Sequence, residues 1–225
     1  MTQLKPKAKT KAKKTHSDIF SNIYKKRIWA SKDSTPLSGA GSTVSYNLRY
    51  IDFLQNLIHD PAYDIHSIAD LGCGDWTFSR EIDFSNKNYL GLDCVPSVIE
   101  DNTNRFSTPH IQFTLADFSQ TQHLTPILQR DLVILKDVLQ HWDDSDVSRV
   151  LDFLTDTSPS QNNRIKYILL VHGKRKESDF QKKRSVQNYY HYSNLNFKTP
   201  PLNKYNIQHL FDYKFKEVGL ITLTS

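Results

Sequence analysis

The chain has 225 residues, of which 38% are hydrophobic, enough for one well-buried domain and too few for two large ones. It has no apolar run of about 18 residues and no apolar signal region after the first Met, so we expect neither a membrane span nor secretion but a cytoplasmic protein. The net charge of +5 points toward nucleic acid, and the two cysteines suit unpaired thiols in a reducing compartment better than disulfides or zinc.

The positive charge is concentrated at the amino terminus. Residues 1–14 hold six lysines and no acidic residue, so the rest of the chain is almost balanced in charge. Because it lacks apolar periodicity, the segment 1–16 is predicted to be a disordered basic tail. Such a tail either attracts RNA, an anionic surface or an import receptor, or is only a solvated terminus.

Helical apolar spacing follows the tail twice. The first helix is predicted over residues 17–29, with Ser17 as its N-cap. Residues 31–43 are rich in Ser, Gly and Pro and are predicted to be a loop, after which helical spacing returns over 44–58. We expect residues 17–60 to form a helical cap on the domain that follows.

An apolar strand over residues 67–71 ends in a turn that contains Gly72 and Gly74. Having no Cβ, glycines at such a turn let the backbone approach a ligand and present amide donors to it. A second strand, over 88–92, ends in Asp93, whose carboxylate can accept hydrogen bonds from both ribose hydroxyls. This spacing predicts an adenosine-containing cofactor, although the same glycines would also serve a tight turn without a ligand.

Two features of the turn distinguish between adenosine cofactors. The nicotinamide dinucleotide fingerprint requires a third glycine at position 77, which is Thr77 here. Asp70 and Asp75 add negative charge that would repel a pyrophosphate but suits a ligand with an ammonium and a sulfonium. The electrostatics therefore favour S-adenosylmethionine.

Apolar runs alternate with helical patterns through the middle of the chain. Strands are predicted near residues 67–71, 88–92, 110–115, 131–136 and 165–171, with helices between them. This alternation predicts a doubly wound parallel sheet. Two closing runs, 207–215 and 217–224, are too close for a crossover helix and are expected to pair antiparallel within a terminal unit, 207–225.

Four motifs carry a family resemblance: DLGCG at 70–74, GLD at 91–93, LADF at 115–118 and DLVILKDVLQH at 131–141. In order and spacing they resemble class I S-adenosylmethionine-dependent methyltransferases, roughly over residues 45–172. The resemblance implies a Rossmann-like three-layer α/β/α fold whose seven-stranded sheet is mostly parallel with an antiparallel C-terminal strand. It also implies a cofactor-binding core over 65–172.

The resemblance also implies a set of cofactor-binding residues. These candidates are Asp70, Gly72, Cys73, Gly74, Trp76, Asp93, Cys94, Asp117, Phe118 and Lys136. The first motif is expected to surround the methionine part, Asp93 to bind the ribose, and Asp117 with the Phe118 amide to read the adenine edge. One position departs from the family, because Trp76 stands where a third glycine is usual. Its indole is expected to cover the cofactor or to project into substrate space.

Methyl transfer from a sulfonium needs an in-line acceptor, a dry pocket and, for some acceptors, a base. His141 is the candidate base because an imidazole titrates near neutrality; alternatively it caps or orients the next helix. Asp137 is expected to orient a polar substrate group, and Lys136 either neutralises an anion or only extends from the strand end. No metal site is expected, since the acidic residues that follow are typical of a helix's first turn: Asp143, Asp144 and Asp146.

Residues 173–206 are predicted to form a lid over the substrate. The candidate substrate-binding residues are His172, Lys182, Arg184 and Tyr190. His172 ends the fifth strand and is expected to face the site, and basic residues interleaved with tyrosines suit an anionic or nucleotide-like substrate. The alternative is a solvated helix followed by an aromatic patch packed on the sheet.

The sequence thus predicts one methyltransferase domain, over residues 17–225, that uses S-adenosylmethionine. The expected acceptor is an oxygen or nitrogen of a small polar metabolite, such as a sugar or an anionic compound. One alternative is an RNA or protein methyltransferase that uses the basic tail and the lid. A second is a non-catalytic cofactor-binding module. Oligomeric state is not encoded in these patterns.

Overall fold

A seven-stranded sheet in the order β3-β2-β1-β4-β5-β7-β6 forms the centre of the molecule. The computed structural model describes residues 15–30, 36–118, 120–179 and 194–223. The strands are β1 Ser67–Leu71, β2 Asn88–Asp93, β3 Ile111–Leu115, β4 Leu132–Lys136, β5 Tyr167–Gly173, β6 Gln208–Tyr213 and β7 Lys216–Thr222. β7 runs antiparallel to β5 and β6, and the other neighbouring strands pair in parallel. The predicted fold class is confirmed.

Four α-helices lie in the described ranges: α1 His16–Lys25, α2 Val44–His59, α3 Pro96–Phe106 and α4 Asp144–Thr155. None of them combines the length and the apolar character that crossing a bilayer requires. α4 begins as expected, because the Asp143 carboxylate accepts a hydrogen bond from the Asp146 amide at 2.9 Å.

The start of α1 differs from the prediction. The Thr15 hydroxyl accepts a hydrogen bond from the Asp18 amide, and the Asp18 carboxylate accepts one from the Thr15 amide, both at 3.1 Å. This reciprocal pair is a capping box, so Thr15 is the N-cap and the assignment to Ser17 was wrong. Helical structure therefore begins inside the segment predicted as a tail, whose residues 1–14 lie outside the described part of the chain.

Apolar side chains cover both faces of the sheet. α4 packs on one face, where the core includes Ala69, Leu71, Val133, Leu135, Val147, Val150, Leu151, Leu154, Ile168 and Leu170. α2 packs on the other, with Tyr50, Ile51, Leu54, Leu57, Ile58, Ile68, Leu132, Ile134, Leu169 and Val171. Because successive strand residues point to opposite faces, each central strand contributes to both layers, and its sequence is a continuous apolar run.

The connection from β1 to β2 lacks the expected helix. It contains only a three-residue 3₁₀ turn, Ser79–Glu81. Its buried apolar residues, Trp76, Phe78, Ile82 and Phe84, recur mostly at intervals of two, so a helix would not place them on one face. The described residues of the connection from β3 to β4 likewise form only the 3₁₀ turns Thr121–His123 and Thr125–Gln129. Aromatic packing replaces the first missing helix on this face of the sheet.

The Trp76 indole is part of that packing. Its ring centroid lies 5.0 Å from that of Phe106 and 5.4 Å from that of Phe113, and its Nε1 donates a hydrogen bond to the Tyr89 hydroxyl at 2.9 Å. Only 5% of the residue is exposed. The indole therefore packs in the space left by the missing helix, although Trp76 is also among the residues that line the cavity described below. The expectation that its ring covers the cofactor or projects into substrate space stays a prediction.

Replacing Trp76 by Ala should destabilise the fold by about 3–5 kcal/mol, the usual cost of emptying a large aromatic site. Urea unfolding measures this change. Phe215→Ala removes an aromatic ring that is 80% exposed and should change stability by less than about 0.5 kcal/mol. Similar losses in the two variants would contradict a structural role for the indole.

Candidate active site

The carboxyl ends of β1, β2 and β4 meet at one edge of the sheet. In the parallel register, Leu71 lies beside Leu92 of β2 and Leu135 of β4, so the polar residues that follow these leucines converge. A cavity of about 600 Å³ opens at this edge. α1 and the segment that follows it lie over the cavity, and we call them the cover. The residues of the cover that line the cavity include His16, Phe20, Tyr24, Trp29 and Ser38.

The turn after β1 accepts only glycine at two positions. Gly72 and Gly74 have φ angles of 77° and 57°. A Cβ on Gly72 would lie 2.4 Å from Val138 Cγ2, and one on Gly74 would lie 2.6 Å from Ser38 Oγ. The positive φ angles and the adjoining Val138 and Ser38 side chains therefore both favour glycine here, and the two glycines line the cavity.

Asp93 ends β2 beside this turn. Its Oδ2 accepts a hydrogen bond from the Gly74 amide at 3.1 Å, and its Oδ1 accepts one from the Val95 amide at 3.0 Å. Burial raises the pKa of this carboxyl to about 6, although the amide hydrogen bonds act in the opposite direction. The carboxylate is thus fixed in orientation and lines the cavity.

Two hydrogen bonds in series hold the Asp70 side chain. The Tyr89 hydroxyl donates to Asp70 Oδ2 at 2.8 Å, while Tyr89 itself accepts from the Trp76 indole. Burial raises the pKa of Asp70 to about 6, and the Tyr89 hydrogen bond and the charge of Lys136 limit this rise. Two carboxyls with raised pKa values therefore flank the glycine turn.

A reciprocal pair of hydrogen bonds fastens the amino-terminal segment to the turn. The Ser38 hydroxyl accepts from the Asp75 amide at 3.0 Å, and the Ser38 amide donates to Asp75 Oδ2 at 3.1 Å. The hydroxyls of Tyr24 and Ser38 are 2.7 Å apart. The cover is thus connected directly to the glycine turn.

The far end of the cavity lies beside the end of β3. Asp117, Phe118 and Cys94 line it, as the family resemblance implies. His16 contributes from α1, with its Nδ1 3.8 Å from Asp117 Oδ1 and its ring stacked on Trp142 at a centroid distance of 6.0 Å. The first turn of α1 therefore completes this end.

Three charged residues meet at the end of β4. The ammonium groups of Lys136 and Lys216 both contact Asp137 Oδ2, the first at 2.7 Å. These two positive charges hold the pKa of Asp137 well below its usual range, despite its burial. Burial and the repulsion from Lys136 lower the pKa of Lys216 to about 8, although Asp137 opposes this shift. Asp137 is therefore fixed as a carboxylate at neutral pH.

His141 ends the 3₁₀ turn Leu139–His141 and lines the cavity. Its ring lies against two aromatic rings of the cover, with centroids 5.0 Å from Trp29 and 5.9 Å from Phe20. It is only 7% exposed. An imidazole in this place is shielded from bulk water while facing the cavity.

His172 does not take the place that was predicted for it. It is 1% exposed, its Nε2 lies 3.6 Å from Glu217 Oε1, and its ring packs on Phe197 at 4.9 Å. It is not among the described residues that line the cavity, whereas the next residue, Gly173, is. The correction follows from strand alternation, because adjacent residues of β5 face opposite ways. The other predicted substrate residues, Lys182, Arg184 and Tyr190, lie outside the described residues.

Sequence reasoning missed several lining residues. Lys216 begins a terminal strand, Ser38 lies in a loop, and His16 was assigned to the tail. Their only sequence signal was a position next to an element boundary. Tyr24 was recognised as part of an apolar helix face, but its hydroxyl contact with Ser38 was not foreseen.

A model of the O-methyltransferase domain family matches residues 49–192, well over half of the chain. The chain belongs to this family. It is a class I S-adenosylmethionine-dependent methyltransferase, and its membership decides against the non-catalytic alternative. A search of curated protein sequences finds no significant match.

Solved methyltransferase structures share the fold of this enzyme. The N-methyltransferase NodS from Bradyrhizobium japonicum, in complex with S-adenosylhomocysteine, is 12% identical with a TM-score of 0.60, over 92% of this chain and 100% of that one. The methyltransferase domain of bacterial CtHen1-CN is 14% identical with a TM-score of 0.58, over 79% and 99%. Magnesium protoporphyrin IX methyltransferase from Synechocystis PCC 6803, with bound S-adenosylmethionine, is 14% identical with a TM-score of 0.56, over 96% and 100%.

The site of this methyltransferase fits its cofactor in shape and charge. Gly72 and Gly74 line the cavity without a side chain of their own, and the carboxyls on this side complement a sulfonium and an ammonium. These carboxyls belong to Asp70, Asp75, Asp93 and Asp117. The assignment of the ribose to Asp93, and of the adenine edge to Asp117 and Phe118, stays a prediction.

We expect the affinity for S-adenosylhomocysteine to fall as the pH drops below about 6. The pKa of Asp93 is about 6, and protonation would remove the charged acceptor predicted for the ribose hydroxyls. Calorimetric titrations at about pH 8 and about pH 5 measure the change. The Asp93→Asn variant should bind S-adenosylhomocysteine about 10- to 100-fold more weakly at the higher pH, and its affinity should depend less on pH.

Asp101→Asn, on the exposed side of α3, is the matched control and should behave as wild type. The pKa of Asp70 is also about 6, so some pH dependence should persist in Asp93→Asn. An affinity of the wild-type protein that is the same at both pH values would contradict the carboxylate assignment.

Asp137→Asn should destabilise the protein by about 3–5 kcal/mol near neutral pH, because it leaves two buried ammonium groups without their counter-ion. The pKa of Lys216 is already lowered to about 8, so the loss should shrink as rising pH deprotonates it. Urea unfolding over a pH series measures both effects. Asp101→Asn, which breaks the exposed ion pair with Arg105, should cost less than about 1 kcal/mol.

Proposed function

We propose that this enzyme transfers the methyl group of S-adenosylmethionine to an oxygen or nitrogen of a small polar metabolite, such as a sugar or an anionic compound. One observation carries the proposal: a single covered cavity joins the residues that fit the cofactor to His141 and to the polar end of β4. Its volume of about 600 Å³ lies in the range of small-molecule sites. The O-methyltransferase family match favours oxygen as the acceptor atom.

Bound S-adenosylmethionine supplies an electrophilic methyl group on a sulfonium. The protein contributes position, dryness and a route for the acceptor's proton. In our proposal, a ring nitrogen of His141 accepts the proton of an acceptor hydroxyl as the new bond to carbon forms, or removes a proton from an acceptor ammonium before its nitrogen attacks. The bond between the methyl carbon and sulfur would break in the same step, and its electron pair would stay on the sulfur of the departing S-adenosylhomocysteine. Trp29 and Phe20 pack against the imidazole and would restrict its orientation toward the cavity.

Asp137 has a different role in this proposal. Lys136 and Lys216 hold it as a carboxylate, so it accepts hydrogen bonds but does not serve as the proton acceptor. Its φ of 61° is an uncommon conformation for a non-glycine residue, and such strain is concentrated at functional sites. We assign to it the orientation of a polar group on the acceptor.

The cover supports a small acceptor over a macromolecular one. Aromatic residues of α1 close the cavity above His141, which favours a molecule that fits inside. Magnesium protoporphyrin IX methyltransferase, among the structural neighbours, is named for a small-molecule acceptor, and NodS is named as an N-methyltransferase. The RNA or protein alternative depends on residues 1–14 and 180–193, which lie outside the described residues.

Incubating the full-length protein with methyl-labelled S-adenosylmethionine and fractionated metabolite extracts tests the proposal. We expect label in a small-molecule product, and expect it to persist after deletion of residues 1–14. Label that enters only RNA or protein, and that is lost with this deletion, would contradict a small acceptor.

Replacing His141 by Ala should lower kcat by about 10²- to 10⁴-fold, the usual contribution of a general base. The affinity of the His141→Ala variant for S-adenosylhomocysteine should stay within about twofold of wild type, since no cofactor contact is assigned to the imidazole. Kinetics with the acceptor fraction and calorimetry measure the two quantities. His110→Ala, which changes an exposed histidine outside the cavity lining, is the control. An equal loss of turnover and of affinity would reject the base assignment.

A further inference from the structure

Most charged residues of the cavity are separated by sign, and the exception is Asp137, which pairs with Lys136 and Lys216 at the end of β4. Carboxyls line the side formed by the ends of β1, β2 and β3, where the cofactor residues lie. Lysines line the side formed by β4, β5 and β7, and they are Lys136, Lys174, Lys176 and Lys216. The first side suits a cationic cofactor, so the second side suits a ligand of the opposite charge.

Lys216 is one of the two buried lysines on the basic side, and the other is Lys136. Lys216 begins β7, beside Gly173 at the end of β5, and is 6% exposed. Its Nζ lies 5.3 Å from the centre of the Tyr46 ring and 3.6 Å from where a Cβ on Gly41 would stand. It is therefore fixed between the cover and the end of β4, and it lines the cavity.

The charge of Lys216 is only partly compensated. Its one ion-pair partner among the described residues is Asp137, which also pairs with Lys136. One carboxylate thus serves two buried ammonium groups that repel each other, and the pKa of Lys216 falls to about 8. A second anion beside Lys216 would offset both the repulsion and the loss of hydration.

The position of Lys216 in the sheet indicates that this anion belongs to the methyl acceptor. β7 is three strands away from β1, about 14 Å at the usual strand spacing, and β4 and β5 lie between them. Two further lysines on this side, Lys174 and Lys176, follow β5 and are exposed at the mouth of the cavity, where Lys174 also pairs with Asp212. They extend the positive charge away from the glycine turn and toward solvent, along a path by which an acceptor can enter.

We propose that Lys216 binds an oxyanion of the methyl acceptor, a carboxylate or a phosphate, with Lys174 and Lys176 attracting it at the cavity mouth. This proposal rests on the proposed small-molecule methyl transfer and narrows its substrate class to anionic metabolites. It makes Lys216 a residue that selects the substrate, whereas His141 accepts the proton.

The test uses the full-length protein with its lysines labelled at Cε and saturated with S-adenosylhomocysteine. Lysine signals are followed by NMR over a pH series, with sodium acetate or inorganic phosphate replacing sodium chloride at constant ionic strength. The Lys216 signal is assigned as the one lost in Lys216→Gln, or in Lys216→Arg if the first variant unfolds. Lys204→Gln changes an exposed lysine paired with Asp152 and is the control.

We expect acetate or phosphate to raise the pKa of Lys216 by about one unit in a saturable manner, which corresponds to tenfold tighter binding to the ammonium than to the amine. The anion that raises the pKa of Lys216 more identifies the anionic group of the acceptor as a carboxylate or a phosphate. No response to either anion would overturn the proposal. S-adenosylhomocysteine alone could instead raise the pKa of Lys216, with no further response to either anion. That result would assign the site to the carboxylate of the cofactor and would also overturn the proposal.

Activity distinguishes this proposal from the one on which it rests. The extract fraction that accepts labelled methyl should be retained on an anion exchanger, and Lys216→Gln should raise its KM about 10- to 100-fold with kcat changed less than about threefold. Methyl transfer to an uncharged small molecule, with KM unchanged in the variant, would overturn the anion proposal and leave the proposed function intact. Label found only in macromolecules would overturn the proposed function, while the NMR response would still decide whether Lys216 binds an anion.

Discussion

β1 lies between β2 and β4 in a parallel register, and this pairing brings together the glycine turn, Asp93 and the charged end of β4. The core residues of β1 are almost fully buried, and each buried aliphatic side chain stabilises the fold by about 1.5–3 kcal/mol. A residue such as Asp137, with a φ of 61°, costs about 1–3 kcal/mol. Burial of one or two neighbouring strand residues offsets this cost, so the sheet can hold a strained residue where its strands end.

The electrostatics of the site follow from burial at that edge. Asp70 and Asp93 lose hydration, and their pKa values rise to about 6. Without a positive ligand, both carboxyls therefore begin to take up protons within about one pH unit of neutrality. A cationic cofactor favours their charged forms, and the binding energy is larger because the cavity is shielded from water. On the other side of β4 the same effect acts on Lys216 with opposite sign. One cavity thus holds two regions in which burial shifts the pKa values of charged groups in opposite directions.

The cover depends on contacts between distant parts of the chain. Ser38 and Asp75 exchange two hydrogen bonds, and Phe20 and Trp29 pack against His141. These contacts link α1 to the glycine turn and to the turn after β4, so the cover, the cofactor side and the candidate base are mechanically coupled. Loss of the cover would expose the imidazole and the carboxyls to water and weaken each electrostatic interaction in the cavity.

The fold class and the cofactor were predictable because they depend on short-range rules. Apolar runs of strand length that alternate with helical patterns indicate a parallel sheet, and a glycine turn followed by Asp93 indicates an adenosine ligand, whatever the rest of the chain does. The helix expected after Gly74 was wrong for a local reason, since the apolar spacing of residues 76–84 is close to two. That signal was present in the sequence, but the family pattern outweighed it.

Side-chain direction and partnership were decided by the tertiary structure. The packing of the Trp76 indole depended on the space beside Phe106 and Phe113, and whether His172 reached the site depended on which face of β5 it lies on. Lys216 gained its place only because β7 inserts beside β5, which brings a residue near the chain's end to the carboxylate that follows β4. Sequence fixes what a backbone segment can do by itself, whereas the contacts between segments arise from packing of the whole domain.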